Sequence, residues 1–167
     1  GKSEFVRQMA LEAGAAGYRT CIAGLEQPVY DQVDNMMTQI TGCETNDPDW
    51  LAAAVTWLQD KVWWYPKIGA ETVDKLISVF TYAHRRFGCT RFVIDSWMRI
   101  DLGGRHEDRN ATESHVIQRL VKFAGDTRSH VEIVAHPRKT QGEQKPPDKM
   151  DLGGSGAISD NCHNLWT

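Results

Sequence analysis

Two periodicities of apolar residues alternate along the chain. Five segments repeat apolar side chains every three or four residues, as amphipathic helices do. They lie over 5–13, 29–40, 50–58, 73–87 and 116–124. Four short apolar runs between them are typical of buried strands, at 21–25, 62–65, 91–95 and 131–135. Strands that alternate with helices predict an α/β fold with a mainly parallel sheet flanked by helices.

Glycine and proline mark where these elements begin and end. Gly14 and Gly17 are expected to close the first helix, and Gly42 and Gly88 to close the second and fourth. Pro48 is typical of a first helical turn and begins the third helix, whose apolar residues we predict on its buried side. These apolar residues are Trp50, Leu51, Ala54, Trp57 and Leu58.

The composition is that of an average globular domain and excludes several classes of protein. The chain has 167 residues, of which 41% are apolar and 25% charged. A chain of this length buries a sufficient core without disulfides or a structural metal. No apolar run approaches the ~20 residues of a membrane span, and the first residues carry no signal-peptide stretch. We therefore expect one soluble, cytoplasmic domain with no membrane partner.

Cysteine and histidine spacing does not indicate a metal or redox site. Cys21, Cys43, Cys89 and Cys162 are far apart and form no C-x-x-C pair. We interpret them as reduced, mostly buried thiols. His84 falls within the apolar stripe of the fourth helix, where we expect a packed and hydrogen-bonded histidine rather than a ligand.

The formal charge of −3 gives no general attraction to nucleic acid, so such a partner would need a local basic site. Residues 137–150 provide one, because four basic side chains there stand against two acidic ones. The basic side chains are Arg138, Lys139, Lys145 and Lys149. A glycine-rich stretch at 153–156 follows, and glycine lets a backbone lie close against a ligand. Any polyanion is therefore expected at this loop.

The first three residues have the chemistry of a phosphate site. Gly1-Lys2-Ser3 followed directly by a helix matches the motif G-x-x-x-x-G-K-[ST] from its second glycine onward. The N–H groups and positive dipole of a helix N-terminus attract phosphate. Lys2 would reach the β- and γ-phosphates of ATP or another nucleoside triphosphate, and the Ser3 hydroxyl would coordinate Mg²⁺. Gly1, Lys2 and Ser3 are therefore predicted nucleotide-binding residues.

Two predicted strands are followed by carboxylates. The strand Phe92-Val93-Ile94-Asp95 has the form of a Walker B strand, whose aspartate holds Mg²⁺ through water. Ser96 follows, where many P-loop ATPases carry the catalytic glutamate. Glu26, after the first strand, is the candidate that would orient and deprotonate water instead. Because parallel strands end in one crevice, Glu26, Asp95 and His136 are expected to converge there. Capping of the next helix is the alternative role for Glu26.

On these motifs the sequence resembles the ring-forming replicative helicases with a RecA-like motor. The likeness is greatest to the helicase half of phage primase-helicases and their mitochondrial relative Twinkle. It runs in register over nearly the whole chain and rests on five stretches. They are 1–8 (G-K-S-x-F-V-R-Q), 25–26 (L-E), 92–95 (F-V-I-D), His136 and 151–158 (D-L-x-G-S-G-A-I). The resemblance implies a RecA-like P-loop NTPase core.

The resemblance also implies roles for single residues. Lys2 and Ser3 would hold phosphate and Mg²⁺, Asp95 would hold Mg²⁺, and Glu26 would be the catalytic base. His136 would be the sensor that couples the γ-phosphate to a DNA-binding loop. That loop would lie along single-stranded DNA in the central channel of a homo-hexamer. Its residues are Gly153, Gly154, Ser155 and Gly156, assisted by Arg138, Lys139 and Lys145.

Three departures from the family pattern change these expectations. Gly153 stands where relatives often have Arg, so DNA affinity would depend on the basic loop 137–150. His163 stands where relatives usually have Asp. The arginine finger of the family follows its last strand, and the chain ends at Thr167. We therefore expect 1–167 to be a single partial RecA-like domain, cut inside the phosphate loop and before the arginine finger, and inactive alone.

Two other functions share part of this pattern. A RecA- or KaiC-like ATPase that acts as a recombinase, loader or switch carries the same motor motifs without unwinding DNA. A degenerate, non-hydrolysing interaction module would fit the missing Arg at position 153 and the incomplete ends. The resemblance leaves open whether a primase domain or partner accompanies the motor. For a phage-encoded protein, the cytoplasm would be that of a bacterial host.

Overall fold

Helices and strands alternate from the first residue, in the order that the apolar periodicities predict. The computed structural model of the protein describes residues 1–42, 47–103, 109–136 and 161–164. The helices in this part of the chain are α1 (Lys2–Ala15), α2 (Val29–Thr41), α3 (Pro48–Gln59), α4 (Val73–Phe87) and α5 (Arg109–Thr127). The strands are β1 (Thr20–Gly24), β2 (Val62–Trp64), β3 (Glu71–Thr72), β4 (Arg91–Asp95), β5 (Ile100–Asp101) and β6 (His130–Val134).

Four of the strands form one sheet with the order β2-β1-β4-β6. Every neighbouring pair in this sheet is parallel, which confirms the expected parallel arrangement. Gly24 of β1 lies opposite Asp95 of β4, and Asp95 lies opposite Val134 of β6. The three strands therefore end at the same level, and the loops that follow them share one edge of the sheet.

Side chains alternate between the two faces of the sheet and build a core on each. Phe92 and Ile94 of β4 pack with α4 and α5, whereas Val93 packs with α1, α2 and α3. Such alternation follows from the two-residue repeat of a strand. Because both faces are covered by helices, β1 and β4 are apolar at nearly every position, and all five residues of β1 are buried.

Two expectations about buried aromatic residues are wrong. Trp50, in the first turn of α3, is 59% exposed, and Phe5 on α1 is 47% exposed. The inward face of α1 instead consists of Arg7, Ala10, Leu11 and Gly14. That face begins over the carboxyl edge of the sheet, so a polar residue rather than Phe5 is turned inward there.

Gly14 does not close α1 as expected but lies inside it. A Cβ placed on Gly14 would lie 3.1 Å from the ring of Trp57 on α3. The glycine therefore serves close helix packing. Gly42 and Gly88 do end their helices, with φ angles of 72° and 70° that an L side chain rarely adopts.

Two short strands were not expected from the sequence. β3 and β5 pair in parallel as a separate two-residue ribbon. A strand of two residues carries no repeat that a sequence pattern could show. Among the described residues, no helix is both long and apolar enough to cross a lipid bilayer.

Candidate functional site

The carboxyl edge of the sheet brings the chain ends of β1, β4 and β6 together. The N–H of Leu25, directly after β1, donates to the carbonyl of Asp95 at 2.6 Å. This bond links the two strands at the point where Glu26 and Ser96 leave the sheet. The predicted convergence of residues after parallel strands is therefore present in the fold.

The N-terminus of α1 points its first residues at this edge. The ammonium of Lys2 donates to the carbonyl of Ala135, the residue after β6, at 2.7 Å. The hydroxyl of Ser3 is hydrogen-bonded to the carboxylate of Asp95. Gly1 precedes the helix as its N-cap. A phosphate-type helix terminus, the Walker B-type aspartate and the end of β6 thus meet in one place.

Asp95 lies at the centre of this cluster and is partly buried. Burial raises the pKa of the Asp95 carboxyl, because an apolar environment disfavours the ionised form. The negative charge of Glu26 raises the pKa further. The hydrogen bond from Ser3 acts in the opposite direction, followed by the attraction of Arg7 and then of His136. His136 itself is exposed at the end of β6.

Glu26 is held by two residues that follow β4. The hydroxyl of Ser96 donates to Oε1 of Glu26 at 2.6 Å, and Nε of Arg99 lies 3.6 Å from the same oxygen. The Glu26 side chain remains 34% exposed, so water can reach it. Capping of α2 is not its role, since Pro28 is the N-cap and the helix has no side-chain cap bond.

Two residues of the site were missed at the sequence level, Ser96 and Arg7. Ser96 was considered only as the absence of a glutamate, although it directly follows a strand end and therefore had to lie at this edge. Arg7 follows Ser3 by four residues, a spacing that places both side chains on one face of a helix. That spacing was the available signal.

Several predicted residues lie outside the described part of the chain. They are Arg138, Lys139, Lys145, Gly153, Gly154, Ser155 and Gly156. Their assignment to DNA, and the roles assigned to Gly1, Lys2, Ser3, Glu26, Asp95 and His136, stay predictions.

The donor atoms at the edge fit a hard divalent cation. Ser3 supplies a hydroxyl and Asp95 a carboxylate, and Mg²⁺ prefers oxygen ligands. Proteins commonly bind Mg²⁺ through one or two such groups together with nucleotide phosphates and water. In the described residues no cluster of three His, Cys, Asp or Glu side chains forms a metal site by itself. A cation here would therefore depend on a bound nucleotide.

Comparison of the fold with solved structures gives its class, a RecA-like fold of the kind found in replicative helicases. The chain is similar to a solved helicase ATPase domain, with a TM-score of 0.81 and 17% sequence identity over 96% of this chain and 62% of that one. It is equally similar to a DnaB-like replicative helicase studied with primase, with a TM-score of 0.81 and 16% identity.

The second match covers 96% of this chain and 43% of that one, so this chain spans less than two thirds of either structure. No protein-family model matches the sequence. At these identities the likeness confirms the expected RecA-like α/β fold. The expected relation to phage primase-helicases stays a prediction.

Proposed function

We propose that this chain is the ATP-hydrolysing motor domain of a ring-shaped replicative DNA helicase. The observation that supports this most is the meeting of α1 with the ends of β1, β4 and β6. Lys2, Ser3 and Asp95 supply the groups that bind Mg²⁺ and triphosphate in P-loop enzymes. The same fold in a helicase ATPase domain and in a DnaB-like replicative helicase is consistent with this function.

The side chains divide the reaction into binding and proton transfer. On nucleotide binding, Lys2 would exchange its bond to the Ala135 carbonyl for the β- and γ-phosphates. Glu26 would accept a proton as water attacks the γ-phosphorus and the bond to the leaving ADP breaks. Ser96, which donates to Glu26, leaves the second carboxylate oxygen for the water. Mg²⁺, held by Ser3 and Asp95, would neutralise charge on the phosphates.

His136 is suited to report the state of the nucleotide. It follows β6 directly and lies close enough to Asp95 for their charges to interact. The chain then leads into the basic residues of 137–150 and the glycines of 153–156. In our proposal His136 senses the γ-phosphate, and this segment binds single-stranded DNA in the channel of a homo-hexamer. A primase domain or partner and a cytoplasmic location belong to the same proposal.

Replacement of Glu26 tests the proposed reaction. In the full-length protein we expect Glu26→Gln to lower DNA-stimulated ATP hydrolysis by about 10²- to 10⁴-fold, because general-base catalysis contributes this much. Binding of a non-hydrolysable ATP analogue should persist. Glu12→Gln, an exposed carboxylate on α1, is the matched control and should keep normal turnover. Near-normal turnover in Glu26→Gln would remove Glu26 from the role of base.

Unwinding of forked DNA separates the helicase from its alternatives. A replicative helicase displaces the strand in an ATP-dependent reaction. A RecA- or KaiC-like recombinase, loader or switch would hydrolyse ATP but leave the duplex intact. A protein that binds no ATP would be the non-hydrolysing interaction module.

A further inference from the structure

Arg7 is a charged residue on the inward face of α1. It is 6% exposed and lies in line with the apolar residues Ala10, Leu11 and Gly14. Loss of hydration lowers the pKa of its guanidinium. Burial of an arginine is costly unless charge and hydrogen bonds compensate for the lost water. The contacts of Arg7 therefore indicate why the fold keeps it there.

The contacts of Arg7 lead to the candidate site. Nη1 donates to Oε1 of Gln27 at 3.3 Å. The guanidinium also lies close enough to Asp95 for their opposite charges to interact. Its Nε has no hydrogen-bond partner within the described part of the chain. Arg7 thus joins the helix that carries Lys2 and Ser3 to the residue next to Glu26.

The turn that carries Glu26 is fixed on its other side by Gln32. The Gln32 side chain is 3% exposed and donates from Nε2 to the carbonyls of Gln27 at 2.8 Å and Gly24 at 3.2 Å. Arg7 from α1 holds the side chain of Gln27, and Gln32 from α2 holds its backbone. Glu26 lies within this doubly held turn.

A second buried arginine shows what a structural ion pair looks like in this fold. Arg91 is 7% exposed and contacts Glu132 at 2.6 Å through both Nε and Nη2. Its Nη1 also donates to the carbonyl of Met9. Arg91 lies at the amino end of β4, away from the candidate site. Arg7 has no such carboxylate fork in the described residues and contacts the site instead.

We propose that Arg7 is a positioning residue for nucleotide hydrolysis, which holds Gln27 and so sets the place of the Glu26 carboxylate in the crevice. Its positive charge offsets the two carboxylates, Glu26 and Asp95, that face each other there. This inference rests on the proposed ATPase function. It differs from a role in phosphate binding, because Arg7 acts behind the catalytic base and is covered by protein.

A positioning role predicts a loss of turnover without a loss of nucleotide affinity. We expect Arg7→Lys in the full-length protein to lower kcat for ATP by about tenfold, because a small misplacement of a catalytic group costs this much or more. The Kd for a non-hydrolysable ATP analogue should stay within about threefold of wild type. Gln27→Ala, which removes the acceptor at an exposed residue, should lower kcat in the same direction.

The double variant and a matched control complete the test. Arg7→Lys with Gln27→Ala should be no slower than Arg7→Lys alone, because both changes remove one contact. Arg91→Lys also replaces a buried arginine by lysine, and should lower the unfolding temperature while leaving kcat per folded molecule unchanged. If Arg7→Lys fails to fold, Gln27→Ala decides the question by itself.

Three outcomes would overturn the inference while leaving the ATPase proposal intact. They are unchanged kcat in Arg7→Lys or Gln27→Ala, additive losses in the double variant, and loss of analogue binding in step with kcat. Absence of ATP hydrolysis in the wild-type protein under DNA stimulation would instead refute the proposed function.

Discussion

The carboxylate of Glu26 depends on a neighbouring hydroxyl for its place. Ser96 is fully buried, and its bond to Glu26 is 2.6 Å long, within the range of hydrogen bonds to ionised oxygens. The alcohol fixes one oxygen of a side chain that is otherwise open to water. Arg99 is a weaker partner, since it is 51% exposed and lies 3.6 Å away.

Removal of the Ser96 hydroxyl should therefore affect catalysis more than binding. We expect Ser96→Ala to lower kcat by about tenfold, because Glu26 would sample several rotamers instead of one. Binding of nucleotide should not change, since Ser96 does not face the phosphate end of the site. Ser78→Ala, an exposed serine on α4, is the control. Steady-state hydrolysis together with analogue binding measures both quantities, and equal kcat in both variants would contradict this prediction.

Tyr65 provides a test of the structure that does not depend on function. Its hydroxyl donates to Oε2 of Glu71 at 2.7 Å. Burial, and then this hydrogen bond, raise the pKa of Tyr65 to about 12. The unfolded tyrosine ionises near pH ~10, so the folded state holds the proton more tightly. The contribution of Tyr65 is therefore complete below pH ~10 and is lost as the pH rises towards 12.

The corresponding variant is Tyr65→Phe. Below pH ~10 it should be less stable than wild type by roughly 1 kcal/mol, the usual net value of a hydrogen bond. The difference should shrink between pH ~9 and ~11.5 as the unfolded tyrosine ionises. Urea unfolding at both pH values measures it. A difference that grows with pH would show the sign to be wrong.

Sequence reasoning found side chains whose position follows from strand order, and missed those whose position follows from burial. Glu26, Asp95 and His136 follow apolar runs, so a parallel sheet had to bring them to one edge. Arg7 was assumed to face water because charged residues usually do. Its burial depends on α2 and the Gln27 turn, which no local pattern of α1 reveals.

At the scale of the elements, the contact of α2 with the end of β1 is the tightest near the site. A Cβ on Gly24 would lie 2.2–2.4 Å from the amide of Gln32. That amide cannot simply move aside, because Gln32 is buried and bonded to the carbonyls of Gly24 and Gln27. Gly24 is thus required by close approach.

We expect Gly24→Ala to destabilise the protein by about 1–3 kcal/mol, the usual cost of overpacking. In a Gln32→Ala background the same change should cost less, because the overlapping amide is gone. Urea unfolding of the two single variants and the double variant gives the coupling. Costs that add within about 0.5 kcal/mol would contradict the contact.

The elements themselves were predicted where the apolar repeat is long, and missed where contacts between elements decide. α4, bounded by Gly88, and β4 match the expected positions. His84 on α4 donates from Nδ1 to the carbonyl of Cys89 at 2.8 Å, as its place in the apolar stripe predicts. Trp50 failed because a residue in the first turn of a helix can lie beyond the packed core.

At the scale of the whole molecule, the candidate site lies where three layers meet. α1 and α2 cover one face of the sheet, α4 and α5 cover the other, and the strands between them end together. A ligand at this edge would contact residues from distant parts of the sequence, such as Ser3 and Asp95. Binding there should therefore stabilise the fold as a unit.

Removal of the metal tests whether nucleotide and cation bind together at this edge. A Mg²⁺-bound non-hydrolysable ATP analogue at a hundred times its Kd should stabilise the protein by about 2.7 kcal/mol. For a chain of this size that raises the unfolding temperature by roughly 5–10 °C. Excess EDTA should remove most of the shift, because Ser3 and Asp95 need the cation to engage the phosphates. Asp95→Asn should do the same, whereas Asp34→Asn, an exposed residue on α2, should keep it. A full shift in Asp95→Asn would place the cation elsewhere.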